Sequence, residues 1–291
     1  MKVVTEKEYI LKLRILVPFY NAAGTLERLI ESLVAQTDQD FDTLFLDDCS
    51  TDNSREVIEQ EFAKYRNNPA VLNYVKNEEN IGIMRNVVQG VEQTDDDVIY
   101  CILDGDDFLY PHAVETVKKA YEENDYDFAW SNFTFYPHLR PGFCGEINRG
   151  VSARIFFPIW KMSHMRTWKA GTFKKIDYDK KFKWQGEWFN FANDLAIQFA
   201  LQEVTDKYGH IPEQLYYHDI SEGENTTRNP EKRKKQLIEE TRIRSLFDDE
   251  DAFVANHYFR HVIMLNERLI DAVERDSEFK AVLKSRGFEF D

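Results

Sequence analysis

Through the first 130 residues, short apolar runs alternate with stretches in which apolar residues recur every three or four positions. The runs at 13–17, 43–46, 71–75, 98–103 and 127–130 predict strands, and the periodic stretches between them predict amphipathic helices. The fourth run is apolar throughout, which is typical of a central parallel strand that is buried on both faces. This alternation predicts an α/β fold with a mostly parallel sheet and helices on both faces.

The pattern changes from about residue 131. Glycine, proline, aromatic and basic residues then mix without a clear period, although the second half of 186–202 has a helical pattern. The stretch 231–284 is highly charged and predicts further helix. We therefore predict one α/β domain over 1–225, with halves at 1–135 and 136–225, followed by a helical C-terminal extension over 226–291.

Composition excludes some classes of protein. Charged residues make up 31% of the 291 residues, and no apolar run approaches the roughly 20 residues that a membrane-spanning helix needs. The N-terminal residues lack the basic and apolar regions of a signal peptide. Cys49, Cys101 and Cys144 have no metal-ligand spacing, and we interpret them as reduced thiols. These features predict a cytoplasmic protein without a transmembrane segment, and they assign no oligomeric state.

Charge is unevenly distributed along the chain. The formal net charge is −15, which argues against a general binder of nucleic acids or membrane surfaces. Residues 138–183, however, contain 11 basic and three acidic residues, a net +8, and many aromatic side chains. This basic segment is either a solvated loop over an aromatic core or a binding surface for a polyanion.

Polar residues follow three of the predicted strands, at 18–21, 47–54 and 104–107. Ligands of open α/β sheets bind beyond the carboxyl ends of the strands. Asp104-Gly105-Asp106 places two carboxylates where they can reach a hard divalent cation and the ligand that the cation holds. The alternative is a solvated turn in which aspartate caps the next helix. The chain lacks both the dinucleotide-binding glycine pattern and the P-loop, so a bound diphosphate would need a metal, with Asp106 as its anchor.

Four motifs together resemble the GT-A glycosyltransferases of family 2. They are V-P-F-Y-N at 17–21, D-D-C-S-T-D-N-S at 47–54, N-I-G-I-M-R-N at 80–86 and D-G-D-D at 104–107. The resemblance covers residues 13–135. It implies a GT-A fold with a nucleotide-sugar half over 1–135 and an acceptor half over 136–225. It also implies metal-dependent transfer of a sugar from a UDP-sugar, with inversion at the anomeric carbon.

The resemblance assigns roles to residues of the nucleotide-sugar half. Pro18, Tyr20 and Asn21 would bind the nucleotide, with the Tyr20 ring against uracil. Asp48 would accept a hydrogen bond from N3–H of uracil, which selects uracil or thymine over cytosine. Arg85 would either face the nucleotide-sugar or form a surface salt bridge.

The resemblance also implies the metal site and the catalytic base. Asp104 would lie at the ribose and the metal, and Asp106 would hold Mn²⁺ or Mg²⁺ on the diphosphate. His218 would be a further metal ligand. Asp194 is the first candidate for the base, although Asn193-Asp194 departs from the family's usual Glu-Asp pair, and Glu187 is the second candidate. Asp194 could instead only cap the helix that follows it.

Two classes of function are therefore open. The first is an inverting glycosyltransferase whose acceptor is a glycan, a lipid-linked saccharide or nucleic acid, including a modified DNA base as in phage DNA glycosylation. The second is a non-catalytic nucleotide-binding or metal-binding regulatory module on the same fold.

Overall fold

The computed structural model describes residues 12–68, 70–147, 161–221 and 229–246. Strands and helices alternate through the first part of the chain, as the apolar pattern predicts. The elements there are β1 (Leu13–Phe19), α1 (Leu26–Val34), β2 (Asp42–Asp47), α2 (Ser54–Lys64), β3 (Val71–Lys76), α3 (Ile83–Glu92), β4 (Ile99–Ile102), β5 (Phe108–Leu109), α4 (Ala113–Glu123), β6 (Phe128–Tyr136) and β7 (Arg140–Pro141). The elements after residue 161 are β8 (Arg166–Lys169), α5 (Ala170–Phe173), α6 (Tyr178–Lys181), β9 (Lys183–Trp184), β10 (Glu187–Trp188), α7 (Asn193–Val204), β11 (Tyr208–Asp219) and α8 (Pro230–Leu246).

The described strands form one large sheet and a small hairpin of β9 and β10. The order in the large sheet is β3-β2-β1-β4-β8-β6-β11-β5, and β7 pairs with β6. Strands β1 to β4 are parallel, and β11 is parallel to β6. Strand β8 runs antiparallel between β4 and β6, and β5 runs antiparallel to β11. The predicted α/β class is confirmed, and the parallel arrangement holds for the first four strands while the other half of the sheet is mixed.

Helices cover both faces of the sheet because successive side chains of a buried strand point to opposite faces. Ile15 of β1 belongs to a core with α1, α2 and α4, whereas Leu16 belongs to a core with α3, α5 and α7. Both side chains are fully buried. Each face of the central strands therefore has its own apolar core, as the uninterrupted apolar runs predict.

The second half of the sheet contains a long strand that the sequence pattern does not predict. Strand β11 pairs with β6 along nearly its whole length, and β6 extends six residues beyond the run at 127–130. The register shifts between Ile211 and Gln214 and again between Gln214 and Tyr216. The shifts insert two extra residues and then one in β11 relative to β6, so β11 has no simple apolar alternation.

The C-terminal stretch is helical over α8, as predicted. Ile243 of α8 is fully buried in the same core as Phe199 of α7, so α8 packs on the α/β domain. The predicted helix continues to 284, but 247–291 lie outside the described residues, as do 148–160 of the basic segment. No helix in the described part of the chain is both long and apolar enough to span a bilayer.

Candidate active site

A pocket of about 1360 Å³ opens beyond the carboxyl ends of β1 and β4, beside the start of α7 and the end of β11. Seven residues that the sequence predicts as site residues line this pocket. They are Pro18, Tyr20, Asn21, Asp104, Asp106, Asp194 and His218. Asp48, Arg85 and Glu187 are not among the lining residues. Because distant parts of the sequence converge here with acidic and imidazole groups, the pocket is the candidate active site.

The two acids of the loop after β4 have perturbed ionisation. Burial raises the pKa of Asp104, against the opposing charge of Arg166. Asp106 retains solvent contact, but the protein packed around it and the charges of Asp107 and Asp104 raise its pKa to about 8. Gly105 lies between them, and any Cβ there would overlap the Cβ of Phe19 in β1. The loop thus holds two carboxyl groups close together among packed protein, and their mutual repulsion favours the binding of a cation.

Asp107 anchors the end of β11 beneath this loop. Its buried carboxylate accepts hydrogen bonds from the Tyr216 hydroxyl and the Asp219 backbone N–H, each at 2.7 Å. His218 Nδ1 lies 3.2 Å from Asp107 Oδ2. Asp219 is buried and pairs in turn with Arg28. The acidic loop and the β11 terminus are therefore fixed to each other by buried polar contacts.

One acid and two histidines at the pocket could hold a metal ion. A ligand atom from each of Asp107, His164 and His218 lies within 4.8 Å of the other two. Burial, with smaller effects of Arg166 and His218, holds the pKa of His164 well below its usual value, so its imidazole is neutral. Its buried Nδ1 makes no hydrogen bond with any described residue. Asp106 lines the same pocket but does not belong to this group.

The two histidines differ in ionisation. Burial disfavours the charged form of His218, but the hydrogen bond and charge of Asp107, together with Asp106 and Asp104, raise its pKa above the usual value. The His164 ring stacks between Tyr216, at a centroid distance of 4.5 Å, and His218, at 5.0 Å. The stack fixes both imidazoles at the pocket wall, where a ligated metal would replace the proton of His218.

Arg166 connects the acidic loop to the candidate base. Its side chain is only 3% exposed, with Nη2 3.4 Å from Asp104 Oδ2 and Nη1 3.5 Å from Asp194 Oδ2. Asp194 lies in the first turn of α7, and its Oδ1 accepts a hydrogen bond from Leu195 N at 2.8 Å. Residues 195–201 of α7 are all buried, so the helix gives Asp194 a rigid support. One guanidinium thus holds carboxylates from the two halves of the domain.

The loops after β1 and β2 are tied together by side-chain contacts with backbone groups. Asn21 has a left-handed φ of 55°, which asparagine tolerates, and its Oδ1 accepts from Thr51 N and Asp52 N. Asp48 is buried, with Oδ1 accepting from Ile81 N at 2.8 Å and Oδ2 from Gly82 N at 2.9 Å. Asp48 therefore holds the start of α3 rather than lining the pocket wall.

Comparison with known proteins identifies the family of this part of the chain. Residues 14–142 match the model of glycosyl transferase family 2. These residues form a family 2 glycosyltransferase domain. The chain is similar to an uncharacterized glycosyltransferase of Haemophilus influenzae, with 31% identity over 48% of this chain and 42% of the relative. It is also similar to the chondroitin synthase of Pasteurella multocida, with 35% identity over 37% of this chain and 10% of that protein. The chain spans less than half the length of these curated relatives.

Solved structures support the fold of the family 2 domain. Residues 1–349 of Staphylococcus aureus TarS, crystallised in complex with UDP-GlcNAc, match with a TM-score of 0.64 and 18% identity. The match covers 94% of this chain and 78% of that chain. At this identity the likeness establishes the fold, and the GT-A expectation is confirmed.

Three predictions from the sequence concern residues that lie away from the pocket. Arg85 is exposed on α3, and Glu187 is exposed on the β9–β10 hairpin. Several described lysines of the basic segment pair with acids outside the pocket, for example Lys174 with Asp96 at 2.9 Å. Other such pairs are Lys180 with Asp177, Lys181 with Glu203, and Lys183 with Asp179. For these lysines the arrangement favours the interpretation as a solvated surface.

Sequence reasoning missed His164 and Arg166 and gave Asp107 no role. Asp107 could have been found because it directly follows the Asp-x-Asp motif. The other two have no local signal, since β8 reaches the site by pairing antiparallel with β4, with Cys101 opposite Thr167. That register carries Arg166 and His164 past the end of β4 to the acidic loop. Only the strand order of the sheet reveals them.

Proposed function

We propose that this protein transfers a sugar from a UDP-sugar to an acceptor hydroxyl, with inversion and with the help of a divalent metal. The observation that carries the proposal is the contact of Arg166 with both Asp104 and Asp194. It joins the acidic loop of the donor side to a carboxylate on the other wall of one pocket. A pocket of about 1360 Å³ has room for a nucleotide-sugar and an acceptor group together.

The donor side of the pocket suits a uridine nucleotide. Tyr20 is 50% exposed and lines the pocket above Pro18, so its ring is free to stack on a base. Asp48 lies behind the pocket wall, where its Oδ2 accepts one hydrogen bond from Gly82 N, and it would accept a second from N3–H of uracil only if the base reached past that wall. The TarS neighbour crystallised with UDP-GlcNAc supports the same class of donor. Arg85 would meet the diphosphate only if its exposed side chain turned towards the pocket.

The donor atoms at the pocket fit a divalent cation. Asp107, His164 and His218 would hold it, with Asp106 supplying a further carboxylate from the same loop. The buried Nδ1 of His164 lies 3.9 Å from Asp104 Oδ2 and makes no hydrogen bond with a described residue, which supports this assignment because an unsatisfied buried nitrogen is costly without a ligand. Two imidazoles in the set favour Mn²⁺ over Mg²⁺, which prefers oxygen ligands. When bound, the cation would neutralise charge on the leaving diphosphate.

Asp194 is the proposed general base. Its Oδ2 would take the proton from the acceptor hydroxyl as that oxygen forms a bond to the anomeric carbon. The bond from the anomeric carbon to the diphosphate oxygen breaks, and UDP leaves from the opposite face, which inverts the configuration. Arg166 Nη1 lies 3.5 Å from Asp194 Oδ2 and fixes the orientation of this carboxyl group. Glu187 does not reach the pocket and is the weaker candidate.

The acceptor enters between α8 and the β6–β7 hairpin in this proposal. Lys232 and Arg233 of α8 line that side, as do Phe135 and the 47% exposed Phe143. Cations opposite aromatic rings suit an anionic saccharide, either a phosphate-bearing glycan or a lipid-linked one, and they would also accept a nucleic-acid base. All three cysteines are free thiols, which is consistent with a reducing, cytoplasmic compartment.

The decisive experiment is a UDP-release assay with a panel of UDP-sugars, run with Mn²⁺ and with EDTA. We expect UDP release from at least one sugar with Mn²⁺ and none with EDTA. Calorimetric titration with UDP should show binding that Mn²⁺ strengthens. Binding of UDP without turnover of any sugar, across a broad set of acceptors, would instead favour the non-catalytic regulatory module.

A further inference from the structure

Helix α7, which carries Asp194, begins without a capping side chain of its own. Ala192 occupies the N-cap position and has no side-chain acceptor. The first N–H groups of a helix lack partners within the helix, so a buried helix start needs acceptors from elsewhere. Asp194 does not fill this role from the N-cap, because it is the second residue of the helix.

Glu239 of α8 binds the backbone of the segment that leads into α7. Its carboxylate accepts hydrogen bonds from the backbone N–H groups of Asn190 at 2.9 Å, Phe191 at 2.6 Å and Ala192 at 3.0 Å. Three consecutive amides thus converge on one carboxylate, in a concave arrangement that favours an anion. The negative charge also lies at the positive end of the α7 dipole. An acid 45 residues after Asp194 in sequence therefore holds the segment that leads into the helix carrying Asp194.

The segment 190–192, which Glu239 holds, also touches the donor side of the pocket. The side chain of Asn190 packs over Gly82 so closely that a Cβ at residue 82 would overlap it. Gly82 also has a φ of 82°, a conformation that favours glycine. Asn190 and Phe191 line the pocket beside Asp194. The segment therefore lies between the start of α3 on one side and α8 on the other, and it leads directly into the turn that presents Asp194 to Arg166.

We propose that Glu239 is a positioning residue, which holds the segment 190–192 so that Asp194 keeps its place opposite Arg166. The inference rests on the proposed function, in which Asp194 is the general base. In this proposal α8 contributes to the active site, because this helix holds the segment from which α7 starts. Displacement of a catalytic group by about 1 Å can cost about 100-fold in rate, so loss of the Glu239 contacts should be visible in turnover.

The test compares Glu239→Ala and Glu239→Gln with Glu231→Gln, an exposed acid in the first turn of the same helix. We expect Glu239→Ala to lower kcat by about 10- to 100-fold and to change the calorimetric Kd of UDP by less than about threefold. Glu239→Gln should lose less, because its amide oxygen still accepts hydrogen bonds. Glu231→Gln should behave as wild type. Wild-type kcat in Glu239→Ala would overturn the inference.

A double-variant cycle separates positioning from a general loss of stability. If Glu239 acts through Asp194, then Asp194→Asn with Glu239→Ala is no slower than Asp194→Asn alone. Multiplicative losses would overturn the inference, because a merely structural role lowers both backgrounds equally. Should Glu239→Ala fail to fold by circular dichroism, the cycle is run with Glu239→Gln. Normal turnover of Asp194→Asn would refute the proposed base itself, whereas an inactive Asp194→Asn beside a fully active Glu239→Ala would refute only the positioning role.

Discussion

On the donor side of the pocket, the functional side chains follow the ends of parallel strands, whereas on the acceptor side they come from an antiparallel strand, a helix start and a bulged strand. Pro18, Tyr20 and Asp104 lie within two residues of the ends of β1 and β4. Arg166, Asp194 and His218 come from β8, α7 and β11. The donor side is therefore a local consequence of strand order, while the acceptor side depends on contacts between residues far apart in sequence.

The candidate metal group is where the two sides meet, and it gives the largest expected effect. Asp107 comes from the donor side, and His164 and His218 come from the acceptor side. Removal of the metal with EDTA should lower transfer by about a thousandfold or more, because a metal contributes several kcal/mol to stabilising charge at the leaving group. Activity is measured by UDP release before and after Mn²⁺ is restored. Full activity in EDTA would contradict the metal assignment.

The same experiment can compare a histidine of the candidate metal group with an exposed histidine outside it. His218→Gln should raise the Mn²⁺ concentration needed for half-maximal activity by about tenfold or more, since it removes a ligand from the acceptor side. His138→Gln changes an exposed histidine in the β6–β7 turn and serves as the matched control. Equal Mn²⁺ requirements in the two variants would remove His218 from the metal group.

Replacement of the proposed base tests the acceptor side alone. Asp194→Asn should lower kcat by about 10²–10⁴-fold, the usual contribution of a general base, and leave the Kd of UDP nearly unchanged. Glu203→Gln lies at the other end of α7 and should keep wild-type turnover. If Asp194→Asn turns over normally while Glu187→Gln does not, the role of base passes to Glu187 despite its distance from the pocket.

The contrast between the two sides also explains how much the sequence could predict. Four apolar runs and the polar residues after them predicted β1 to β4 and the acidic loop, because a parallel strand buried on both faces has a clear apolar signature. Asp194 and His218 were found through a family resemblance rather than through periodicity. In the structure both residues line the pocket together with Asp104 and Asp106.

Two features of the acceptor side were beyond sequence reasoning. The role of Arg166 depends on antiparallel pairing of β8 with β4, and the role of Glu239 depends on α8 packing against α7. Neither pairing leaves a pattern in the residues themselves, since long-range contacts are set by the whole fold. For the basic segment the two interpretations stay open, since Lys174 and Lys181 pair with acids while the charge pattern itself fits either a solvated surface or a surface that binds a polyanion.

A change on the donor side should reduce the selectivity for the nucleotide, with a smaller effect than the changes above. Asp48→Ala removes the acceptor for N3–H and should weaken UDP binding by roughly tenfold or more, the value of one lost buried hydrogen bond of about 1–3 kcal/mol. The preference for UDP over CDP should fall with it. Calorimetric titrations of both nucleotides are compared with Asp95→Asn, an exposed acid before β4. Equal affinities for UDP and CDP in the wild-type protein would contradict the role of Asp48.

The smallest expected effect concerns the charge that meets the acceptor. Lys232 lines the pocket from α8, whereas Lys174 pairs with Asp96 on the outer surface. If the acceptor is anionic, Lys232→Glu should raise its KM by about three- to tenfold, since one exposed charge contact contributes up to about 1 kcal/mol and reversal adds repulsion. Lys174→Glu should leave the acceptor KM unchanged. Both variants should keep the donor KM, because the diphosphate binds on the other side of the pocket.

The acceptor KM of the wild type should also rise with salt, and this rise should weaken in Lys232→Glu. An acceptor KM that changes neither with salt nor in Lys232→Glu would establish a neutral acceptor. The acceptor contacts would then be limited to the aromatic side chains at the pocket entrance, such as Phe143.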